Sequence, residues 1–159
     1  MINLGIIGSN FITERLIAGA REVEGIKIVA VYSRSEERAK EFAEKFNIEY
    51  TFTDLEEMAK SDKINAVYIA SPNATHASQA KVFINNNKHV LCEKAFASNY
   101  KEGKEVIDLA REKGVVVMEA MKTTTFPNFL KVKENLYKIG RVRKYIGSYC
   151  QYSYKWMAI

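Results

Sequence analysis

The sequence predicts an α/β fold, a doubly wound parallel sheet with helices on both faces. Three observations predict it. Six short apolar runs are spaced along the first 120 residues. Amphipathic stretches with apolar residues at near-helical spacing separate them. The runs are largely apolar, as strands buried on both faces of a parallel sheet are. Right-handed crossovers fold such a chain into two βαβαβ halves.

The elements follow in order. Residues 3–7 (NLGII) predict a first strand. A helix is expected over 11–23, where Phe11, Leu16, Ala20 and Val23 stand at near-helical spacing. Residues 27–32 (KIVAVY) predict the second strand, and 35–46 a helix with Ala39, Phe42, Ala43 and Phe46 on one side. Residues 49–52 form a brief third strand. Asp54 caps a helix over 55–60, and Glu57 three residues on makes a variant of the capping box. The second half repeats the theme. Strands are expected at 66–69, 89–92 and 115–118, and helices at 73–85 and 99–113. Past residue 121 the pattern changes. Residues 126–139 read as helix, and 142–154 alternate enough for one long strand.

Composition bounds the function. The 159 residues are 47% apolar and 27% charged, which excludes a disordered chain. No apolar run exceeds five residues, so neither a membrane-spanning helix nor a signal-peptide core is visible. A cytoplasmic location is therefore the default expectation. Cys92 and Cys150 supply neither a disulfide framework nor metal-ligand spacing. The net charge of +5 is uneven: residues 1–127 carry 17 Lys/Arg against 18 Asp/Glu, and residues 128–159 carry seven against one. A basic tail can mark a nucleic-acid binder. Here no helix-turn-helix or RNA-binding motif accompanies it, and a neutral body is a poor electrostatic footprint. No nucleic-acid or membrane partner is expected.

The turn after the first strand reads GIIGSNFIT. Set against the G-x-G-x-x-G/A fingerprint of dinucleotide-binding folds, Gly8 takes the first position, Asn10 the second and Thr13 the third. Gly8 suits the tight turn, and Asn10 tolerates unusual dihedrals but adds bulk. Backbone N–H groups of Ser9, Asn10, Phe11 and Ile12 at the following helix N-terminus favour an anion such as a pyrophosphate. A plain strand-to-helix turn, capped by Ser9 or Asn10, is the alternative. At the end of the second strand, the acid that would bond a ribose 2′-hydroxyl is missing. Ser33, Arg34 and, one turn on, Arg38 stand there instead. The Arg34 guanidinium with the Ser33 and Ser35 hydroxyls suits a 2′-phosphate, and Arg38 can add a second cation, which favours NADP, with NAD as the alternative. Pairing of the two arginines with Glu37 and Glu41 is the competing reading.

Strand four leads into Ser71, Pro72 and Asn73, with His76 following, and strand five into Glu93 and Lys94. Both turns lie at the carboxyl edge of the sheet, where open α/β folds bind ligands. Asn73 can cap the helix after it. Glu93 and Lys94 can hold the nicotinamide ribose and a substrate hydroxyl, or form a surface ion pair. His76 alone reads equally as a packed histidine.

Together these segments resemble the Gfo/Idh/MocA family, the glucose–fructose oxidoreductase and inositol dehydrogenase group. The match is carried by Gly5 to Gly8 (GIIG), Tyr32 to Arg38 (YSRSEER), Val67 to His76 (VYIASPNATH), Lys88 to Lys94 (KHVLCEK), Gly114 and MEAM at 118–121. The resemblance implies an NAD(P)-dependent oxidoreductase acting on a sugar, polyol or related alcohol or aldehyde. It implies a nucleotide domain over 1–121, with 122–159 a linker helix and the first strand of a substrate domain. It assigns Lys94, the lysine of the E-K-P motif, to the reacting carbon as the catalytic residue. Cofactor contacts are expected from Gly8, Ser9, Asn10, Phe11 and Ile12 at the pyrophosphate and from Ser33, Arg34 and Arg38 at the ribose end. Ser71, Pro72, Asn73 and His76 are expected along the floor, and Glu93 and Lys94 at the nicotinamide ribose.

The chain departs from the family in four places. Ala95 replaces the motif proline, which adopts a cis bond far more readily. Asn10 replaces the second fingerprint glycine. The W-T-R-F-x-P stretch of some relatives reads Lys122-Thr123-Thr124-Thr125-Phe126-Pro127, without its arginine. Family members run to about twice this length, beyond the usual domain size of about 150 residues. A truncated or frameshifted reading frame is the corresponding expectation, with the general acid/base histidine of the substrate domain outside the sequence. A non-catalytic dinucleotide-binding module or sensor is the alternative function. The strand expected at 142–154 would be an exposed edge, able to pair with a second copy of the chain.

Overall fold

A computed structural model describes residues 1–148 and residue 150. Six strands form a single sheet: β1 (Ile2–Ile7), β2 (Ile26–Tyr32), β3 (Tyr50–Phe52), β4 (Ala66–Ile69), β5 (His89–Cys92) and β6 (Val117–Glu119). Their order is β3-β2-β1-β4-β5-β6, and every adjacent pair is parallel. The chain direction across the sheet reverses between β1 and β4, which makes their carboxyl ends the switch point where such sheets bind ligands. The fold is the doubly wound α/β arrangement of the Rossmann type.

The helices are α1 (Phe11–Ala20), α2 (Glu36–Phe46), α3 (Leu55–Lys60), α4 (His76–Asn85), α5 (Tyr100–Lys113) and α6 (Pro127–Asn135). Side-chain caps set four starts. Asn10, Ser35, Asp54 and Asn99 each accept backbone N–H groups of the helix that follows. Residues 73–75 form a 3₁₀ turn, and α4 begins only at His76. The Asn73 side chain makes no cap bond there. Helix α1 ends at Ala20 rather than 23, and β6 runs Val117–Glu119, shifted from the expected 115–118.

Alternation along β1 divides the core in two. Ile7 packs on one face with Met58, Ala59, Ala77, Ala80, Phe83, Ile84, Val106 and Ala110 from α3, α4 and α5. Leu4 and Ile6 pack on the other with Ile17, Phe42 and Ala43 from α1 and α2. Fully burying one such side chain is worth about 1.5–3 kcal/mol, so this two-faced burial holds the site's scaffold rigid.

The chain divides into two units, Met1–Met121 and Lys122–Ile159. The second holds α6 between two 3₁₀ turns, Lys122–Thr125 and Leu136–Ile139. Its Phe129, Leu130, Val132 and Tyr137 are exposed. Residues 142–148 carry no strand, in contrast to the expectation, and 149 and 151–154 lie outside the described residues. Alternation supplies a strand's faces but not the neighbouring backbone that its N–H and C=O groups need. No described helix is long and apolar enough to cross a membrane.

Candidate functional site

Register places the site. Phe52, Tyr32, Ile7, Ile69, Cys92 and Glu119 stand side by side in one row across the sheet. The next residues along β1, β2, β4 and β5 are Gly8, Ser33, Ala70 and Glu93, so the candidate residues rise from a common edge.

A cleft of about 530 Å³ opens above β1, β2 and β4, lined by Gly8, Ser9 and Asn10, by Ser33, Arg34, Ser35 and Arg38, and by Ser71, Pro72, Thr75 and Gln79. Gly8 has φ +102°. A Cβ there would lie 2.5 Å from the Ala70 carbonyl oxygen and 2.8 Å from its carbon. Only glycine permits that turn with β4 so close. Asn10 then ties the turn together. Its Oδ1 accepts from the N–H of Ile12 (3.0 Å) and Thr13 (3.3 Å), while its Nδ2 donates to the Ala70 carbonyl at 2.8 Å. Asn10 thus caps α1 and clasps β4, a job that a glycine at this fingerprint position cannot do. The Ile12 N–H is spent on this cap rather than turned to an anion. Thr13, at the third fingerprint position, is fully buried, and its hydroxyl lacks a partner among the described residues.

Arg34 and Arg38 are exposed on the cleft wall. Among the described residues neither forms an ion pair within 4.0 Å. Glu37 instead accepts the Ser35 hydroxyl at 2.5 Å, and this bond holds its carboxyl below the usual range. The surface pairing weighed from sequence is therefore absent among the described residues; both arginines line the cleft, and Arg38 also borders a groove with Glu14 and Glu41.

Six expected residues do not line the cleft: Phe11, Ile12, Asn73, His76, Glu93 and Lys94. Phe11 is two-thirds exposed beside the Arg15 guanidinium. His76 is completely buried. Its Nδ1 stands 2.9 Å from the Ala95 carbonyl oxygen and its Nε2 2.8 Å from that of Ser71. A neutral ring donates to one of them and an imidazolium to both. The side chain thus bridges the loops after β4 and β5 from beneath and presents nothing to a ligand on the cleft floor.

The Glu93 carboxylate is also engaged. One oxygen accepts the Tyr68 hydroxyl at 2.7 Å, and the other lies 3.4 Å from the Lys94 N–H. Burial, then the bond to Glu93, pushes the Tyr68 phenol well above its ordinary range. Burial likewise raises the Cys92 thiol to about 12, with help from the charges of Glu119 and Glu93. Lys94 itself is exposed, and the Lys94–Ala95 peptide bond is cis.

The sequence reading missed Thr75 and Gln79. A signal was present, because residues 71, 75 and 79 are spaced by four and so share one side of a helical path. Tyr68 gave none, since its hydroxyl sits at the end of an otherwise apolar run.

Comparison with known proteins follows this geometry. The Gfo/Idh/MocA model, described as "Oxidoreductase family, NAD-binding Rossmann fold", matches residues 2–121. The chain is 57% identical over 158 residues to scyllo-inositol 2-dehydrogenase (NADP(+)) IolU of Bacillus subtilis, covering 99% of this chain and 48% of that one. It is 33% identical over 145 residues to trans-1,2-dihydrobenzene-1,2-diol dehydrogenase of Mus musculus, covering 90% and 43%. Among solved structures, KijD10, a 3-ketoreductase from Actinomadura kijaniata in complex with NADP, superposes with a TM-score of 0.80 at 27% identity, covering 86% and 42%. The chain spans about half the length of the curated relatives it matches.

Proposed function

The chain belongs to the Gfo/Idh/MocA family of NAD-binding oxidoreductases, and on that premise we propose that it is the nucleotide-binding portion of an NADP(H)-dependent enzyme acting on a sugar, polyol or related alcohol or aldehyde. One observation carries the cofactor choice. Arg34 and Arg38 stand on the cleft wall with no carboxylate partner among the described residues. A 2′-phosphate supplies the anion that two unpaired guanidiniums lack. The NADP(+)-linked relative and the NADP-bound ketoreductase support the same choice.

The cleft residues fit the rest of a dinucleotide. Gly8 keeps the turn free of side-chain bulk, and the amides of Ser9 and Asn10 just ahead of α1 bind the pyrophosphate. Ser33 donates at the ribose. Ser71 and Pro72 form the opposite wall. The nicotinamide, when bound, supplies the hydride chemistry. Lys94, exposed at the end of β5, orients the oxygen on the reacting carbon. Glu93 holds the lysine's turn through the Tyr68 hydroxyl and the Lys94 N–H. His76 acts beneath both loops as a positioning residue.

Isothermal titration tests this reading. Binding of NADPH more tightly than NADH is expected, and Arg34→Ala should weaken NADPH roughly ten- to a hundredfold, the worth of a charge-assisted bond, with little change for NADH. Failure of the wild-type chain to bind either dinucleotide at millimolar concentration would refute it.

A further inference from the structure

The β4–α4 wall of the cleft carries a polar arrangement that the phosphate-binding turn does not explain. Ser71, Thr75 and Gln79 all line the cleft. The Ser71 hydroxyl donates to Gln79 Oε1 at 2.6 Å and lies 3.0 Å from the Thr75 hydroxyl. Thr75 Oγ1 is in turn 2.8 Å from the Pro72 carbonyl oxygen. The Ser71 bond thus orients the Gln79 carboxamide from the loop that precedes its helix, while the Thr75 proton goes to the Pro72 carbonyl. The Ser71 backbone is anchored as well, because its carbonyl oxygen is 2.8 Å from His76 Nε2.

A carboxamide oxygen has two lone pairs, and the nitrogen has two hydrogens. Ser71 occupies one lone pair. Among the described residues Ser71 is the partner of this carboxamide, so one lone pair and the N–H donors remain for the cleft. Side by side, an acceptor and a donor match the edge of a base. Adenine offers an amino donor at N6 beside a ring-nitrogen acceptor, and glutamine pairs with that combination through two parallel bonds. Phosphates offer acceptors alone, and the nicotinamide carboxamide, which offers the same pair, belongs to the other end of the dinucleotide. The opposite wall already holds the cations for the phosphate end, which leaves this wall for the base.

We propose that Gln79, oriented by Ser71, reads the adenine of the dinucleotide, accepting from its N6 amino group and donating to an adjacent ring nitrogen. The assignment rests on the dinucleotide reading above. It makes Gln79 a base-selecting residue, distinct from the arginines that select the 2′-phosphate. It also predicts discrimination against a hypoxanthine base. There a carbonyl oxygen replaces the N6 amino group and meets the Gln79 oxygen acceptor to acceptor.

The experiment compares binding of NADPH and of its hypoxanthine counterpart by isothermal titration to the intact chain and to Gln79→Leu. The wild type should prefer the adenine form by about tenfold or more. Gln79→Leu keeps the side-chain volume, and it should weaken NADPH by a similar factor and bring the two cofactors to within about threefold. Gln79→Glu keeps the shape but removes the N–H donors, and it serves the same test if the leucine variant does not fold. Binding of NADPH by the wild type without preference over the hypoxanthine form overturns the assignment. So does a variant that retains the wild-type preference. Absence of any dinucleotide binding by the wild type is a different result, because it defeats the cofactor reading itself.

Discussion

Replacing His76 tests how the loops after β4 and β5 are held together. The imidazole is fully enclosed, with ring nitrogens 2.9 Å from the Ala95 carbonyl oxygen and 2.8 Å from that of Ser71. His76→Ala removes the donor and leaves carbonyl oxygen without it, a loss of about 1–3 kcal/mol. It also leaves a cavity of ring size, and truncations of large buried side chains cost about 2–5 kcal/mol. Because these ranges overlap in what they count, the expected loss is about 3–5 kcal/mol. His76→Leu stays close to the volume and removes the polar contacts, so it should lose about 1–3 kcal/mol. Urea unfolding followed by far-UV circular dichroism measures both. The difference between the variants isolates the cavity contribution. An alanine variant within about 1 kcal/mol of wild type, with unchanged urea dependence, would refute the bridging role.

Other consequences can be measured in the same way. Asn10→Ala removes the cap of α1 and the clasp to the Ala70 carbonyl, and should cost about 1–2 kcal/mol in a denaturation curve. Gly8→Ala forces a Cβ against the Ala70 carbonyl at positive φ, and a loss of at least about 2 kcal/mol is expected, with dinucleotide affinity falling in a titration. Thr13→Val replaces an enclosed hydroxyl that has no partner among the described residues, so the thermal midpoint should hold or rise. The Cys92 thiol, raised from its ordinary 9.0 to about 12, keeps its proton more firmly in the folded state than in the unfolded one. Stability should therefore be intact below about pH 9 and fall as pH rises toward 12, by up to about 1.4 kcal/mol per pH unit from this thiol. Cys92→Ala should remove that part of the slope. Tyr68 adds a loss of the same sign. In native protein, iodoacetamide should label exposed Cys150 and spare buried Cys92, with mass spectrometry as the readout.

Much of the molecule was legible before any coordinate. The strands at 66–69 and 89–92 match β4 and β5, and the helix at 55–60 matches α3, because continuous apolar runs and an aspartate cap are local signals. The glycine turn and the arginines after β2 were readable for the same reason, since each motif is contiguous. Legibility failed where a role depends on a partner distant in sequence. His76 looked like a ligand-facing residue on the strength of its motif, yet its partners are carbonyls of two separate loops. Glu93 looked available, yet Tyr68, 25 residues away, takes one of its oxygens. The strand expected from 142 is missing over 142–148, because alternation says nothing about who pairs with it.

The sequence by itself determined the class of fold, the order of strands and helices, and the carboxyl edge at which doubly wound sheets bind ligands. Those follow from periodicity and handedness, which are properties of neighbouring residues. Only the tertiary structure decided which side chains face the cleft. It set Asn10 as a clasp instead of an obstruction, left Arg34 and Arg38 without an ion pair among the described residues, buried His76 beneath the floor, and brought Gln79 to the wall beside Ser71. The physical reason is that a hydrogen bond or ion pair depends on positions in space. Parallel crossovers bring together groups that the chain separates by 25 or 60 residues.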